Sequence, residues 1–174
     1  YAYDLESGRR RKLMRGQMRA FEVLEDESIV VSRDRTDTFG SEILLLRRNG
    51  LEPVLSTEFL VREIRSEGGR IFVSARRDGE NFRVYRAQPD SEESFLLQPI
   101  HGEGFSSGMI CLEGERVLFT ANLGGRYAVY AYDPANGDLF RLTESGYADG
   151  ATCEPESGRL YYRGLDPEGF ALFR

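Results

Sequence analysis

"GGRIFVSARRDGENFRVYRAQPD", residues 68–90, contains two short apolar runs separated by a polar turn. The runs at 70–75 and 82–87 are rich in Val, Ile, Phe and Tyr, residues that favour β-strands. Asp78-Gly79 lies between the two runs, and Gly68-Gly69 comes before the first. Such pairs supply the positive φ angles that tight hairpin turns require. The stretch therefore predicts a β-hairpin that is itself preceded by a tight turn.

The same pairing of apolar runs occurs four times along the chain. The pairs are SIVVSR with SEILLLR (28–33, 41–47), RIFVSA with FRVYRA (70–75, 82–87), RVLFTA with YAVYAY (116–121, 127–132) and RLYYRG with FALFR (159–164, 170–174). The string YAYD at 1–4 returns at 130–133, three intervals of 43 residues later. No stretch keeps a helical apolar period for three turns. We therefore expect an all-β chain of four repeats, at approximately 1–42, 43–84, 85–129 and 130–174.

Repeats of this length that hold four short antiparallel strands are typical of the blades of a β-propeller. The segments 20–55, 60–98 and 105–143 could each hold four strands, 147–173 about three, and 9–14 one more. Joining the two ends would complete the last blade and remove exposed sheet edges. Four blades is the small end of a range of roughly four to eight. The sequence leaves open a closed ring of four blades and part of a larger ring of about six to eight.

Residues 68–90 also resemble the repeat of TolB-like propellers, whose second and third strands follow a pattern close to D-G-x-x-I-x-F-x-S-x-R-D-G-x-x-x-I-Y. Similar repeats occur in the propellers of dipeptidyl-peptidase and prolyl-oligopeptidase relatives. Ala75 stands where the family has Ser, and the family's Trp-Ser-Pro-Asp-Gly is missing because the chain has no Trp. The matching residues are Ile71, Val73, Arg77, Asp78 and Gly79.

This resemblance implies a non-catalytic scaffold that recognises a protein, a small molecule or a glycan. It also implies an alternative, the substrate-gating propeller of a prolyl-oligopeptidase-type serine peptidase whose catalytic domain lies outside this chain. A location in the cell envelope or periplasm is a further implication of the resemblance, since TolB-like proteins are often partners of envelope complexes.

The motif GFSSG at 104–108 has the G-x-S-x-G spacing of a hydrolase nucleophile turn. Two strand-like runs follow it instead of a helix, and the single histidine, His101, lies upstream of Ser106. A second copy of the segment, at 146–153, has Ala148 where the first has Ser106. We therefore predict that Ser106 occupies a repeated structural position and that the chain holds no catalytic triad.

Composition excludes several other classes of function. A net charge of −6 argues against general nucleic-acid binding, and no apolar run approaches the ~20 residues of a membrane helix, so no membrane insertion is expected. One histidine and two cysteines without paired spacing predict no metal site and no cofactor. Asp133, Asn136 and Asp138 lack calcium-loop spacing and predict a tight hairpin turn instead.

Cys111 and Cys153 occupy equivalent places in neighbouring repeats. Packed sheets lie ~10 Å apart, whereas a disulfide needs its Cα atoms at ~5.5 Å. We therefore predict two separate buried thiols.

A basic segment, GRRRKLMRGQMR at 8–19, has six cationic residues and no acidic one. It fits either an edge strand protected by charge, which we favour, or a patch that docks an acidic partner.

Propellers commonly bind their ligands at the mouth of the central channel, where loops lead into the innermost strands. Polar and aromatic side chains there are the natural contact set. The predicted ligand-binding residues are Arg19, Arg62, Phe105, Ser106, Tyr147 and Asp149.

Overall fold

All regular structure in the described part of the chain consists of antiparallel strands. The computed structural model describes residues 2–3, 6–12, 17–47, 50–91, 94–102, 104–144, 147–154 and 157–174. Two strands of two residues each, β1 (Ala2–Tyr3) and β2 (Arg10–Arg11), pair with each other as a short ribbon. Fifteen further strands form four antiparallel sheets, which confirms the predicted all-β class.

The four sheets follow one another along the chain, and the strands within each sheet are in sequence order. Sheet I contains β3 (Ala20–Val23), β4 (Ile29–Asp34), β5 (Ser41–Arg47) and β6 (Gly50–Thr57). Sheet II contains β7 (Leu60–Glu67), β8 (Arg70–Arg76), β9 (Arg83–Ser91) and β10 (Ser94–Pro99). Sheet III contains β11 (Phe105–Glu113), β12 (Arg116–Leu123), β13 (Arg126–Asp133) and β14 (Asp138–Arg141). Sheet IV contains β15 (Ala148–Glu154), β16 (Arg159–Asp166) and β17 (Gly169–Phe173).

Each sheet packs face to face against the next one in the chain, and the two best-formed cores lie between neighbouring sheets. The core between sheets I and II includes Val61, Ile64 and Val73. The core between sheets II and III is richer in rings and includes Phe72 and Phe119. These side chains alternate along their strands with residues of the opposite face, so both faces of sheet II are buried.

Turn chemistry accounts for the hairpins. The backbone N–H groups of Ala135 and Asp138 donate to the side-chain oxygens of Asp133 (2.9 Å) and Asn136 (3.0 Å). Gly137, with φ of 79°, donates its N–H to the carbonyl of Asp133 and closes the turn between β13 and β14. The predicted hairpin at this segment is therefore confirmed.

The N-terminal strand predicted at 9–14 is found only in part. Arg10–Arg11 pairs with Ala2–Tyr3, and β17 pairs only with β16 within the described residues. Residues 13–16, including Arg15 of the basic segment, lie outside the described part of the structure. No closed ring of sheets is seen among the described residues, so the number of blades in the ring stays a prediction.

The prediction of two separate buried thiols is wrong. Cys111 on β11 and Cys153 on β15 form a disulfide, with a Cα–Cα distance of 6.2 Å, and both residues are half-buried. The estimate of ~10 Å applies to sheets packed in parallel planes. Here the first strands of neighbouring sheets converge, so equivalent residues on them come closer than residues on the later strands.

Candidate functional site

The first strands of neighbouring sheets lie side by side and start at one end of the molecule, which we call the upper end. The loop 35–40, the loop 77–82 and the hairpin turn at 124–125 lie at this same end. The predicted ligand-binding residues belong to these strand starts. Antiparallel order therefore gathers at one end of the fold side chains that are more than a hundred residues apart in sequence.

A row of four aromatic rings crosses the upper end from sheet III to sheet IV. Adjacent centroids lie 6.1 Å apart for Phe105 and Tyr127, 5.4 Å for Tyr127 and Tyr147, and 5.8 Å for Tyr147 and Phe170. The first and last contacts are edge-to-face, a favoured arrangement for aromatic pairs. Phe170 is 63% exposed and the other three are half-buried. We call these four residues the aromatic row.

An ion pair stands beside the aromatic row. The Arg163 guanidinium donates to both carboxylate oxygens of Asp149, with Nε to Oδ1 at 2.8 Å and Nη2 to Oδ2 at 2.7 Å. The Tyr147 hydroxyl donates to the same Asp149 Oδ2 at 2.6 Å. The Arg163 hydrogen bonds, and secondarily the Tyr147 hydroxyl, hold the pKa of Asp149 below its usual value. Asp149 in turn raises the pKa of Tyr147, because the hydroxyl proton is held by a carboxylate.

Arginines lie over aromatic rings at the upper end of sheets I and II. The Arg62 guanidinium lies 4.2 Å from the centroid of Phe82, and that of Arg76 lies 5.5 Å from the same ring and 5.2 Å from Phe39. Arg62 also donates from Nη2 to the Ser74 hydroxyl at 3.1 Å. Burial lowers the pKa of Arg62. We call Arg62, Arg76, Phe39 and Phe82 the arginine patch.

Register shifts explain how several of these side chains are directed. On β7 the shift lies between Val61 and Glu63, so Arg62 is the extra residue of a bulge. Corresponding shifts occur at 106–108 on β11 and at 149–152 on β15. Bulges are common beside functional sites because they redirect a side chain out of the regular alternation. The neighbouring first strands β7, β11 and β15 therefore each have a bulge near the upper end.

Ser106 lies within a strand, where its backbone pairs with Ala121. Its side chain is outside the described part of the structure. Gly104, which begins the G-x-S-x-G motif, has φ of 137°, and a Cβ there would lie 2.8 Å from the backbone oxygen of Asn122. Close approach of two chain segments is a common reason for glycine, so this glycine of the motif is accounted for by packing.

The single histidine points into the core. His101 is 7% exposed and stacks on Phe119 at 5.4 Å. Its Nε2 accepts a hydrogen bond from the Val84 N–H at 3.3 Å, and burial lowers its pKa. Because Nε2 accepts this hydrogen bond, it carries no proton and the ring is neutral. This arrangement is typical of a histidine with a structural role.

Of the six predicted residues, three lie together and two, Arg62 and Arg19, lie apart from them, whereas the side chain of Ser106 is outside the described part of the structure. Phe105, Tyr147 and Asp149 meet at the aromatic row, whereas Arg62 lies in the arginine patch. Arg19 is on sheet I, where its guanidinium forms two hydrogen bonds with Asp34. The sequence reasoning missed Tyr127, Arg163, Phe170, Arg76, Phe82 and Phe39.

One of the missed contacts was open to prediction. Asp149 and Arg163 face each other across β15 and β16, so the pair follows once the register of that hairpin is known. The other contacts depend on how neighbouring sheets pack.

Among the described residues, no three His, Cys, Asp or Glu side chains cluster in a way that could hold a metal ion. The same ranges include no helix with the length and apolar character needed to cross a bilayer.

Comparison of the sequence with protein-family models and with curated proteins finds no match. The fold, in contrast, is similar to solved structures. A puromycin hydrolase gives a TM-score of 0.65 at 13% identity, over 87% of this chain and 26% of that one. TolB from Acinetobacter baumannii gives 0.59 at 17% identity, over 83% of this chain and 37% of that one. A proposed dipeptidyl aminopeptidase IV from Bacteroides ovatus gives 0.62 at 17% identity, over 92% of this chain and 28% of that one.

These similarities confirm the resemblance to TolB-like and dipeptidyl-peptidase-type propellers at the level of fold. The chain spans between about a quarter and two fifths of the length of these three proteins. Because similarity in fold does not establish function, what the longer proteins bind or cleave is not assigned to this chain.

Proposed function

We propose that this chain is a non-catalytic recognition scaffold of the TolB-like type that binds a polypeptide partner at its upper end. The observation that carries the proposal is the aromatic row, which ends beside the ion pair of Asp149 and Arg163. The row offers apolar ring surface, and the ion pair offers directed polar groups. Together they form a mixed surface on a rigid sheet framework.

The residue types favour a polypeptide over other partners. Tyr, Phe and Arg are enriched at protein interfaces, and Tyr and Arg are over-represented among the residues that dominate binding energy. The arginine patch supplies two guanidinium groups at the same end, on the neighbouring sheets. Arginine recognises carboxylates through paired N–H donors, so acidic groups of a partner suit this end of the molecule.

The experiment that tests this proposal is a selection of peptides from a phage-displayed random library against the wild-type chain. Peptides that bind are synthesised, and their affinities are measured by fluorescence anisotropy for wild type, Tyr147→Ala and Leu96→Ser. Leu96 is 57% exposed and lies on β10, the last strand of sheet II, away from the aromatic row and the ion pair, so it is a control for nonspecific adhesion to exposed apolar surface.

We expect Tyr147→Ala to weaken binding at least tenfold, as the loss of a residue that dominates an interface does, and Leu96→Ser to leave it within about twofold. Circular dichroism and the Tm check that both variants are folded. Equal weakening by the two substitutions would indicate nonspecific adhesion to exposed apolar surface and contradict the proposal. A selection that enriches no peptide would contradict the polypeptide partner.

A second candidate function is substrate gating for a serine peptidase domain outside this chain. It is favoured by one observation, the similarity in fold to the puromycin hydrolase and to the proposed dipeptidyl aminopeptidase IV, both more than three times as long as the aligned region. An antibody raised against this chain, combined with a fluorophosphonate probe, tests it in the source cells. A larger, probe-labelled polypeptide that reacts with the antibody supports gating, and an unlabelled polypeptide argues for the scaffold.

A further inference from the structure

A cavity of about 160 Å³ lies between sheets I and II and includes no residue of the aromatic row or the arginine patch. Its surface is entirely apolar. Sheet I lines it with residues that include Val30, Ile43 and Val54, and sheet II lines it with residues that include Ile64, Val73 and Ala87.

Side-chain size explains why the cavity exists here. Propeller sheets diverge from their first strand to their last, so the space between neighbouring sheets widens outward and needs larger side chains to fill it. Between sheets II and III, Phe72, Phe119 and Tyr130 fill that space. No ring lines the cavity between sheets I and II, where Ala87 stands on β9.

The cavity opens toward the outer strands. Its inner wall is buried, with Val61 at 1%, Ile64 at 2% and Val73 at 5% exposure. Its outer wall, which includes Val54 and Leu97, is half-buried. The side of the cavity at β6 and β10 is therefore the side nearest to solvent.

An apolar surface of this kind selects its occupant by chemistry. A buried water needs two to four polar partners, and this wall supplies none. A cavity of ~150 Å³ lined by Leu, Ile and Phe stays dry and binds benzene or xenon. We propose that the cavity between sheets I and II is a binding site for a small uncharged apolar molecule about the size of a benzene ring.

The experiment uses benzene as the probe and thermal unfolding as the readout. At a benzene concentration ten times Kd, the folding equilibrium constant of the wild type rises about elevenfold, which is a Tm increase of roughly 3–6 °C for a chain of this size. Ala87→Leu places three more carbons in the cavity, and its Tm should not respond to benzene. Ala135→Leu makes the same substitution at an exposed turn and should respond like wild type.

A second measurement keeps the test decisive if Ala87→Leu fails to fold. Crystals of the wild-type chain under xenon pressure should show a xenon atom in contact with Ile64 and Val73. An equal benzene response in wild type and Ala87→Leu would overturn the proposal. Xenon bound elsewhere, or no xenon peak between sheets I and II, would overturn it as well.

Discussion

The disulfide between Cys111 and Cys153 joins the first strands of sheets III and IV, and its removal is the sharpest perturbation the structure offers. The change is the double variant Cys111→Ser/Cys153→Ser. Both residues are half-buried, so serine hydroxyls at these positions keep access to water and leave little desolvation cost. The effect should therefore come from the loss of the covalent link.

The size of the effect follows from the length of the closed loop. The two cysteines are 42 residues apart. A link of that span lowers the entropy of the unfolded chain and so adds about 4 kcal/mol to the free energy of unfolding at 25 °C. At roughly 2–4 °C per kcal/mol for a chain of this size, the Tm should fall by about 8–16 °C.

The assay is differential scanning calorimetry on wild type and the double variant, each with and without dithiothreitol. Reductant should lower the Tm of the wild type to that of the variant and leave the variant unchanged. Thiol titration gives an independent readout, since the chain has only two cysteines and the oxidised native protein should show no free thiol. Two free thiols in native protein purified without reductant, or a double variant with the Tm of wild type, would refute the link.

Three further predictions concern the core, the strand starts and the ion pair. Because burial lowers the pKa of His101, the unfolded chain binds a proton at a higher pH than the folded chain does, so the free energy of unfolding should fall as the pH drops below about 6.5. Urea unfolding between pH 5 and 8 should show this dependence in wild type and lose it in His101→Gln. Gly104→Ala should destabilise the fold by about 2 kcal/mol or more, and by more than Gly169→Ala, whose φ of 129° is similar but whose added Cβ meets no atom within 4 Å. Chemical denaturation gives the free energy of unfolding of both variants, and an equal decrease in the two would contradict the close approach of Gly104 to Asn122. Arg163→Gln should raise the pKa of the Asp149 carboxyl toward its usual value, as measured by carbon NMR titration, whereas an unchanged pKa would show that the pair does not form in solution.

The sheets were predictable because their signals are local. Short apolar runs such as 70–75 and 116–121 alternate with Gly-containing turns, so each hairpin can be predicted from a stretch of about 20 residues. The strand counts expected for 20–55, 60–98 and 105–143 match the four strands found in each of sheets I, II and III. The approximate repeat boundaries at 1–42, 43–84, 85–129 and 130–174 stay a prediction.

The contacts between sheets were less predictable. Phe105, Tyr147 and Asp149 were predicted because they lie where first strands begin, which is a property of sequence order. Tyr127 and Phe170 lie on later strands, and only the packing of sheet III against sheet IV brings their rings to Tyr147. The convergence of first strands, which places Cys111 near Cys153, is likewise a property of the assembled sheets.

Hydrogen–deuterium exchange of the chain, with and without a peptide from the selection, tests recognition at the upper end most directly. We expect slower exchange at 104–106, 126–128 and 147–150, which hold three rings of the aromatic row, and no change at the turns 114–115 and 134–137 of the opposite end. Protection confined to those opposite turns, with exchange at 147–150 unchanged, would contradict it.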